Sequence, residues 1–160
     1  MKTNLMMGIG NGGCNVVRKI AEHGLESMSF YYYLGEDDIT IDNVLQDTEK
    51  LILVACLGGM IGSEFVVKVA TTAQKMGIPT TVVVTTPFTF EGSVRKKRAL
   101  ATIEKLQKVV KDIKICDNED IKDKYDDLNL LNAYDKSTEE LINIILDCYF
   151  EEVVSLMFKA

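Results

Sequence analysis

A chain of 160 residues has room for one domain with a single substantial core. With 47% apolar residues it is a folded globular protein rather than a disordered one. A formal net charge of −6 and a pI near 4.9 exclude a global basic footprint for nucleic acid.

The opening "MKTNLMMGIG" carries one lysine and a short apolar run. It is too short to span a membrane and lacks a signal-peptide core and cleavage site, so a cytoplasmic protein is expected. "NLMMGI" (4–9) reads as a buried strand, followed by a helix from about Gly13 to Glu22 that stops at Gly24. "SFYYYL" is a second, aromatic strand. A short helix over Ile41–Leu45 leads to a third strand, "KLILVAC", and a helix from Ser63 to Met76 is closed by Gly77 and Pro79. "TTVVVTT" is the fourth strand. A helix over Val94–Lys111 and a short fifth strand, "DIKIC", come next, then an acidic segment, Asp117–Asp127. A last helix starts at Ser137 or Thr138 and runs to near the end.

Apolar strands alternating with helices predict a three-layer, doubly wound α/β fold with a mostly parallel sheet, in one domain over 1–160. Ligands in such folds bind beyond the strand C-termini, where Gly8–Gly13, Glu36–Asp38, Gly58–Ser63, Pro87–Gly92 and Asp117–Asn118 all fall. Cys14, Cys56, Cys116 and Cys148 form no C-x-x-C pair and read as buried reduced thiols. The single histidine, His23, lacks a partner at ligand spacing, so no metal site is expected.

Gly8-Ile9-Gly10-Asn11-Gly12-Gly13 satisfies G-x-G-x-x-G between a strand and a helix. Glycines there let the backbone approach a phosphate, and the helix start supplies N–H donors. The competing reading is a tight turn that needs glycine torsions. In a dinucleotide-binding fold, Glu36 after the second strand would bind the ribose. The P-loop motif G-x-x-x-x-G-K-[ST] does not occur. In Thr85-Thr86-Pro87-Phe88-Thr89-Phe90-Glu91-Gly92-x-x-Arg95, a proline ends the strand and Glu91 and Arg95 stand four residues apart at a helix start. A dinucleotide site does not predict this segment.

Taken together these motifs resemble the FtsZ/tubulin family, specifically its nucleotide-binding half. The family's first loop, Gly-x-Gly-Gly-Gly-Gly-x-Asn, is similar to Gly8–Asn15, with Asn11 in place of one glycine. Its Thr-x-Pro-Phe-x-Phe-Glu-Gly-x-x-Arg is matched in full by Thr85–Arg95. The resemblance implies a nucleotide site built from Gly10, Asn11, Gly12 and Asn15 of the first loop and Gly58, Gly59, Gly62 and Ser63 of a second. It further implies that Glu91 and Arg95 contact the ribose side, Asn118 the guanine side, and Tyr134 stacks on the base. Glu139 would replace the aspartate that reads the base's N–H edge, and 136–158 would correspond to the family's central helix.

Departures from the family pattern set the functional expectation. Its phosphate loop reads Gly-Gly-Gly-Thr-Gly-[Ser/Thr]-Gly, against Gly58-Gly59-Met60-Ile61-Gly62-Ser63-Glu64 here. Met60 removes a glycine and Ile61 a hydroxyl. Glu64, in the first helical turn, is expected to cap the helix and repel a phosphate tail. The span between the second and third strands is shorter than in the family and lacks the loop that would close over a γ-phosphate. Laying the tail against the family's hydrolytic Asn-x-Asp-x-x-Asp places Glu152 on the final acid but Tyr149 on the middle one, so an uninterrupted helix with Glu151 and Glu152 solvated is preferred. The family's second domain and polymer-contacting tail have no counterpart in these residues. Apolar residues nearly encircle the last helix, from Leu141 to Phe158, which predicts self-association or a full-length FtsZ-like partner there. "RKKR" (95–98) and the acidic segment read as solvated faces. The expectation is a minimised, cell-division-related assembly module with weak or absent GTP or GDP binding, no metal held by protein ligands, no nucleic acid and no membrane span. A GTPase whose site is completed by oligomerisation, with Glu152 or a partner supplying the acid, and a dinucleotide-binding Rossmann domain are the alternatives.

Overall fold

Alternation along each strand decides which face of the sheet its side chains enter, and three central strands do this cleanly. The computed structural model describes residues 2–35 and 39–159. Five strands, β1 (Thr3–Ile9), β2 (Met28–Tyr33), β3 (Thr48–Cys56), β4 (Thr80–Thr86) and β5 (Asp112–Asp117), pair in parallel in the order β2-β1-β3-β4-β5. Leu5, Met7, Leu51, Leu53, Val82 and Val84 point to one side, and Met6, Ile52, Val54 and Val83 to the other. All ten are buried. Both faces are therefore covered, the condition under which strands read as continuous apolar runs.

Helices α1 (Gly10–Ala21) and α6 (Ala133–Lys159) cover one face through Val16, Val17, Ile20, Leu141 and Ile145. On the other lie α2 (Ile41–Leu45), α3 (Met60–Lys75) and α4 (Ser93–Gln107), which contribute Leu45, Val66, Val69, Ala99 and Leu106. The three layers and the doubly wound sheet are as expected, and every described strand pair is parallel. The chain leaves β1 toward β2 and returns past it to β3, so the topological switch lies between the C-terminal ends of β1 and β3.

Several boundaries differ from expectation: α1 begins at Gly10 rather than about Gly13, α4 ends at Gln107 rather than Lys111, and three further differences bear on the site. The acidic segment contains a helix, α5 (Asn118–Lys124), started by the Asp117 side chain accepting the Glu119 N–H at 3.0 Å and anchored by buried Ile121. α6 begins at Ala133, four residues early, because Asn129 Oδ1 accepts the N–H groups of Leu131 and Asn132 and turns the chain into the helix. It then runs unbroken past Glu151, which is exposed; nothing is described of the Glu152 side chain. α3 begins at Met60 rather than Ser63. Of the cysteines, all unpaired, Cys14 is buried and Cys56, Cys116 and Cys148 are half-buried. No described helix is long and apolar enough to cross a membrane.

Candidate nucleotide site

The switch point opens into a cavity of about 720 Å³. Its floor is made by Ile9, Cys56 and Thr85, at or near the ends of three neighbouring strands. One end is formed by the starts of α1 and α3: a Cβ on Gly10 would lie 3.5 Å from the Gly62 nitrogen, so the two helix N-termini adjoin. Two such termini side by side concentrate unpaired N–H groups and the positive ends of two helix dipoles, an environment that favours an anion. The opposite end is lined by Asn118, Tyr134, Ser137 and Thr138.

Most of the residues expected to bind nucleotide do line this cavity: Gly10, Asn11, Gly12, Asn15, Gly59, Gly62, Glu91, Arg95, Asn118 and Tyr134. Glu91 is held firmly. Its Oε2 accepts the Phe88 N–H at 2.7 Å, and its Oε1 accepts from Arg95 Nη1 at 3.4 Å. Tyr134 stands edge-on to the stacked pair Phe88 and Phe90. Loss of solvent, followed by the nearby Glu91 carboxylate, pushes its phenol above the ordinary value. Burial likewise raises the Cys56 thiol at the cavity floor, so it stays protonated at neutral pH.

Three residues expected to bind nucleotide lie elsewhere, and Glu64 departs from its expected role as a helix cap. Gly58 and Ser63 turn inward: Gly58 N–H donates to Ser63 Oγ at 3.0 Å, and Gly58 O accepts from Arg98 Nη1 at 2.6 Å. Gly58 has φ +110 and a Cβ there would strike the Pro87 ring at 2.8 Å, so its role is in the turn. Glu64 does not cap α3. With Gly59 O accepting the Ser63 N–H at 3.1 Å, the helix is wound from Met60, and Glu64 falls in its second turn. It is exposed in a groove with Lys68, Arg98 and Lys105. Glu139 is also absent from the cavity wall; it is exposed and 3.8 Å from Lys136. Thr138 takes the place expected of it. A step of four residues from Tyr134 returns to the same helical face, and a step of five does not. Glu36 lies outside the described residues.

Sequence reasoning missed Arg18, Leu57, Thr85, Ser137 and Thr138 as lining residues. Arg18 follows Asn15 by three residues on the same face of α1, a spacing that was legible. Met60 and Ile61, 63% and 43% exposed, stand at the anion end, and Ile61 packs against Gly35: a Cβ there would meet its Cδ1 at 2.7 Å.

The model of the tubulin/FtsZ family GTPase domain matches residues 33–126, more than half of the sequence. The chain belongs to the tubulin/FtsZ family. It is 30% identical over 140 residues to cell division protein FtsZ of Aquifex aeolicus, covering 64% of this chain and 38% of that protein. To mitochondrial division protein fszA of Dictyostelium discoideum it is 30% identical over 142 residues, covering 88% of this chain and 25% of that one. Among solved structures, an empty FtsZ dimer from M. jannaschii superposes with a TM-score of 0.83 at 22% identity, over 91% of this chain and 53% of that one. The chain thus spans well under two thirds of these relatives' lengths. The fold is that of the FtsZ/tubulin nucleotide-binding domain.

Proposed function

We propose that this tubulin/FtsZ-family protein is a cytoplasmic assembly module related to the cell-division cytoskeleton, one that binds guanine nucleotide weakly and does not hydrolyse GTP by itself. The observation that carries this reading is the anion end of the cavity, where Met60 and Ile61 stand at the N-terminus of α3 and Ile61 reaches across to Gly35. Apolar side chains there desolvate a phosphate without offering it a donor, which costs binding energy. Backbone N–H groups of two helix starts and the guanidinium groups of Arg18 and Arg95 remain to attract it. The nucleotide contacts are assigned to Gly10, Asn11, Gly12, Asn15, Gly59, Gly62, Glu91, Arg95, Asn118 and Tyr134. Gly58 and Ser63 support the turn beneath them.

Hydrolysis requires a group that activates water. Among the described lining residues Glu91 is the one carboxylate, and its two oxygens already accept from Phe88 and Arg95. A residue other than these described lining residues would have to supply the acid.

Action by association is supported by the far end of α6. Its first half packs on the sheet, while Phe150, Val154, Leu156, Met157 and Phe158 are all exposed. Solved neighbours include an FtsZ dimer and TubZ protofilaments. A second copy of this chain is the assigned occupant of that apolar stretch.

GTP turnover measured across a range of protein concentrations tests the reading. The expected result is no turnover above background, with light scattering reporting an oligomer at micromolar concentration. Turnover that climbs with protein concentration would establish instead a GTPase completed by oligomerisation. A strict monomer would remove the association claim.

A further inference from the structure

We propose that the base end of this cavity accepts purine nucleotides without selecting guanine, and that Thr138, together with a Ser137–Asn118 pair, sets this breadth. The inference rests on the nucleotide reading above and specifies its ligand class. With the phosphates assigned to the paired starts of α1 and α3, the base falls toward Asn118, Tyr134, Ser137 and Thr138 at the other end. Guanine differs from adenine and hypoxanthine in presenting an N1–H and an N2–H₂ side by side. Selecting it calls for two acceptors fixed next to each other, which a carboxylate supplies best.

No such pair faces the base end among the described residues. The Glu91 carboxylate is engaged by the Phe88 N–H and Arg95. Glu139 lies on the outer side of α6 beside Lys136. At the position one turn after Tyr134 stands Thr138, nearly buried, whose hydroxyl can donate or accept and so serves a keto or an amino group equally.

Asn118 is constrained in the opposite sense. Ser137 Oγ donates to Asn118 Oδ1 at 2.6 Å, and both residues are more than nine-tenths buried. That bond fixes the orientation of the amide, with its oxygen toward Ser137 and its NH₂ group left to donate to a ligand. That donor finds an acceptor on any purine, since each carries unprotonated ring nitrogens. A site rejects an analogue strongly when binding it would strand a buried polar group. Adenine and hypoxanthine strand none here.

Calorimetric titration of the full chain with GDP, IDP and ADP tests the proposal. Dissociation constants within about threefold of one another are expected. Thr138→Asp, which places a carboxylate on that face, should raise the preference for GDP over ADP by about tenfold or more. If the unaltered chain binds GDP about thirtyfold tighter than ADP and IDP, the site selects guanine and the proposal fails while the nucleotide reading stands. Absence of binding by all three would remove that reading and this proposal with it. A Thr138→Asp variant with unchanged circular dichroism and an unchanged GDP-to-ADP ratio would overturn the role given to Thr138.

Discussion

The two glycine-rich turns at the mouth of the cavity look alike in sequence and are built on different physics. In Gly8–Gly13 the two outer glycines are demanded by backbone against backbone: a Cβ on Gly13 would lie 2.3 Å from the Val54 carbonyl oxygen, and one on Gly8 2.8 Å from Cys14 Cα, while Gly10 has φ +77 and a Cβ on Gly12 would meet Cys56 Sγ at 2.6 Å. That turn lets α1 sit tightly on β3 and leaves its N–H groups bare. In Leu57–Ser63 the turn is held by side chains, with Ser63 Oγ and Arg98 satisfying both backbone groups of Gly58. Met60 and Ile61 then stand over the exposed end. Glycine counting finds both turns but does not say which glycines serve packing, which serve torsion and which face a ligand.

The sharpest way to break this contrast is substitution along the two turns. Gly13→Ala forces a collision with backbone that no rotamer relieves, and should cost about 3 kcal/mol or more in urea unfolding. Ser63→Ala leaves the buried Gly58 N–H without its acceptor and should cost about 2 kcal/mol by the same measurement. Arg98→Ala removes the donor to Gly58 O, a carbonyl that water can still reach in part, and should cost about 1 kcal/mol. Gly59→Ala, with nothing within 4 Å of the added Cβ and an ordinary φ of −76, should stay within about 0.5 kcal/mol. Equal losses at Gly13 and Gly59 would dissolve the distinction.

A smaller effect sharpens it from outside the turns. Lys124 Nζ and Tyr125 O–H both donate to Glu140 Oε1, at 2.7 and 2.9 Å, and hold its carboxyl below the ordinary value. A depressed carboxylate stabilises the fold above its unfolded pKa, and that contribution is lost as pH falls through the folded one. Glu140→Gln should therefore lower Tm slightly at pH 7. The gap to the unaltered chain should close as pH drops below 4.5, the group's ordinary value.

The strands were legible because buried parallel strands write themselves as unbroken apolar runs; Thr80–Thr86 is placed to the residue. The helix α5, "NEDIKDK", was not, because it buries a single large apolar side chain, Ile121, and so carries almost no periodicity. At the site, motif residues on loops and strand ends, such as Glu91, Arg95 and Asn118, fall where expected. Gly58 and Ser63 were lost to the turn, and two other misplacements are errors of helical phase. Glu139 and Thr138 differ by one position but by about 100° around α6, and counting along the chain without the helix start does not resolve that angle. Glu64 was misplaced by the same cause, the early start of α3 at Met60. The encirclement of α6 by apolar residues was read correctly as composition. Only the structure separates its packed half, around Leu141 and Ile145, from the exposed end at Leu156–Phe158.

The central proposal is that a purine nucleoside still fits the base and ribose end of the cavity, without selection for guanine, while the phosphate end is obstructed. Calorimetric affinities for guanosine, GDP and GTP test it most directly, because each added phosphate probes the end where Met60 and Ile61 stand. The account predicts that guanosine, GDP and GTP differ by no more than about threefold per step. GTP binding about a hundredfold or more tighter than guanosine would contradict it.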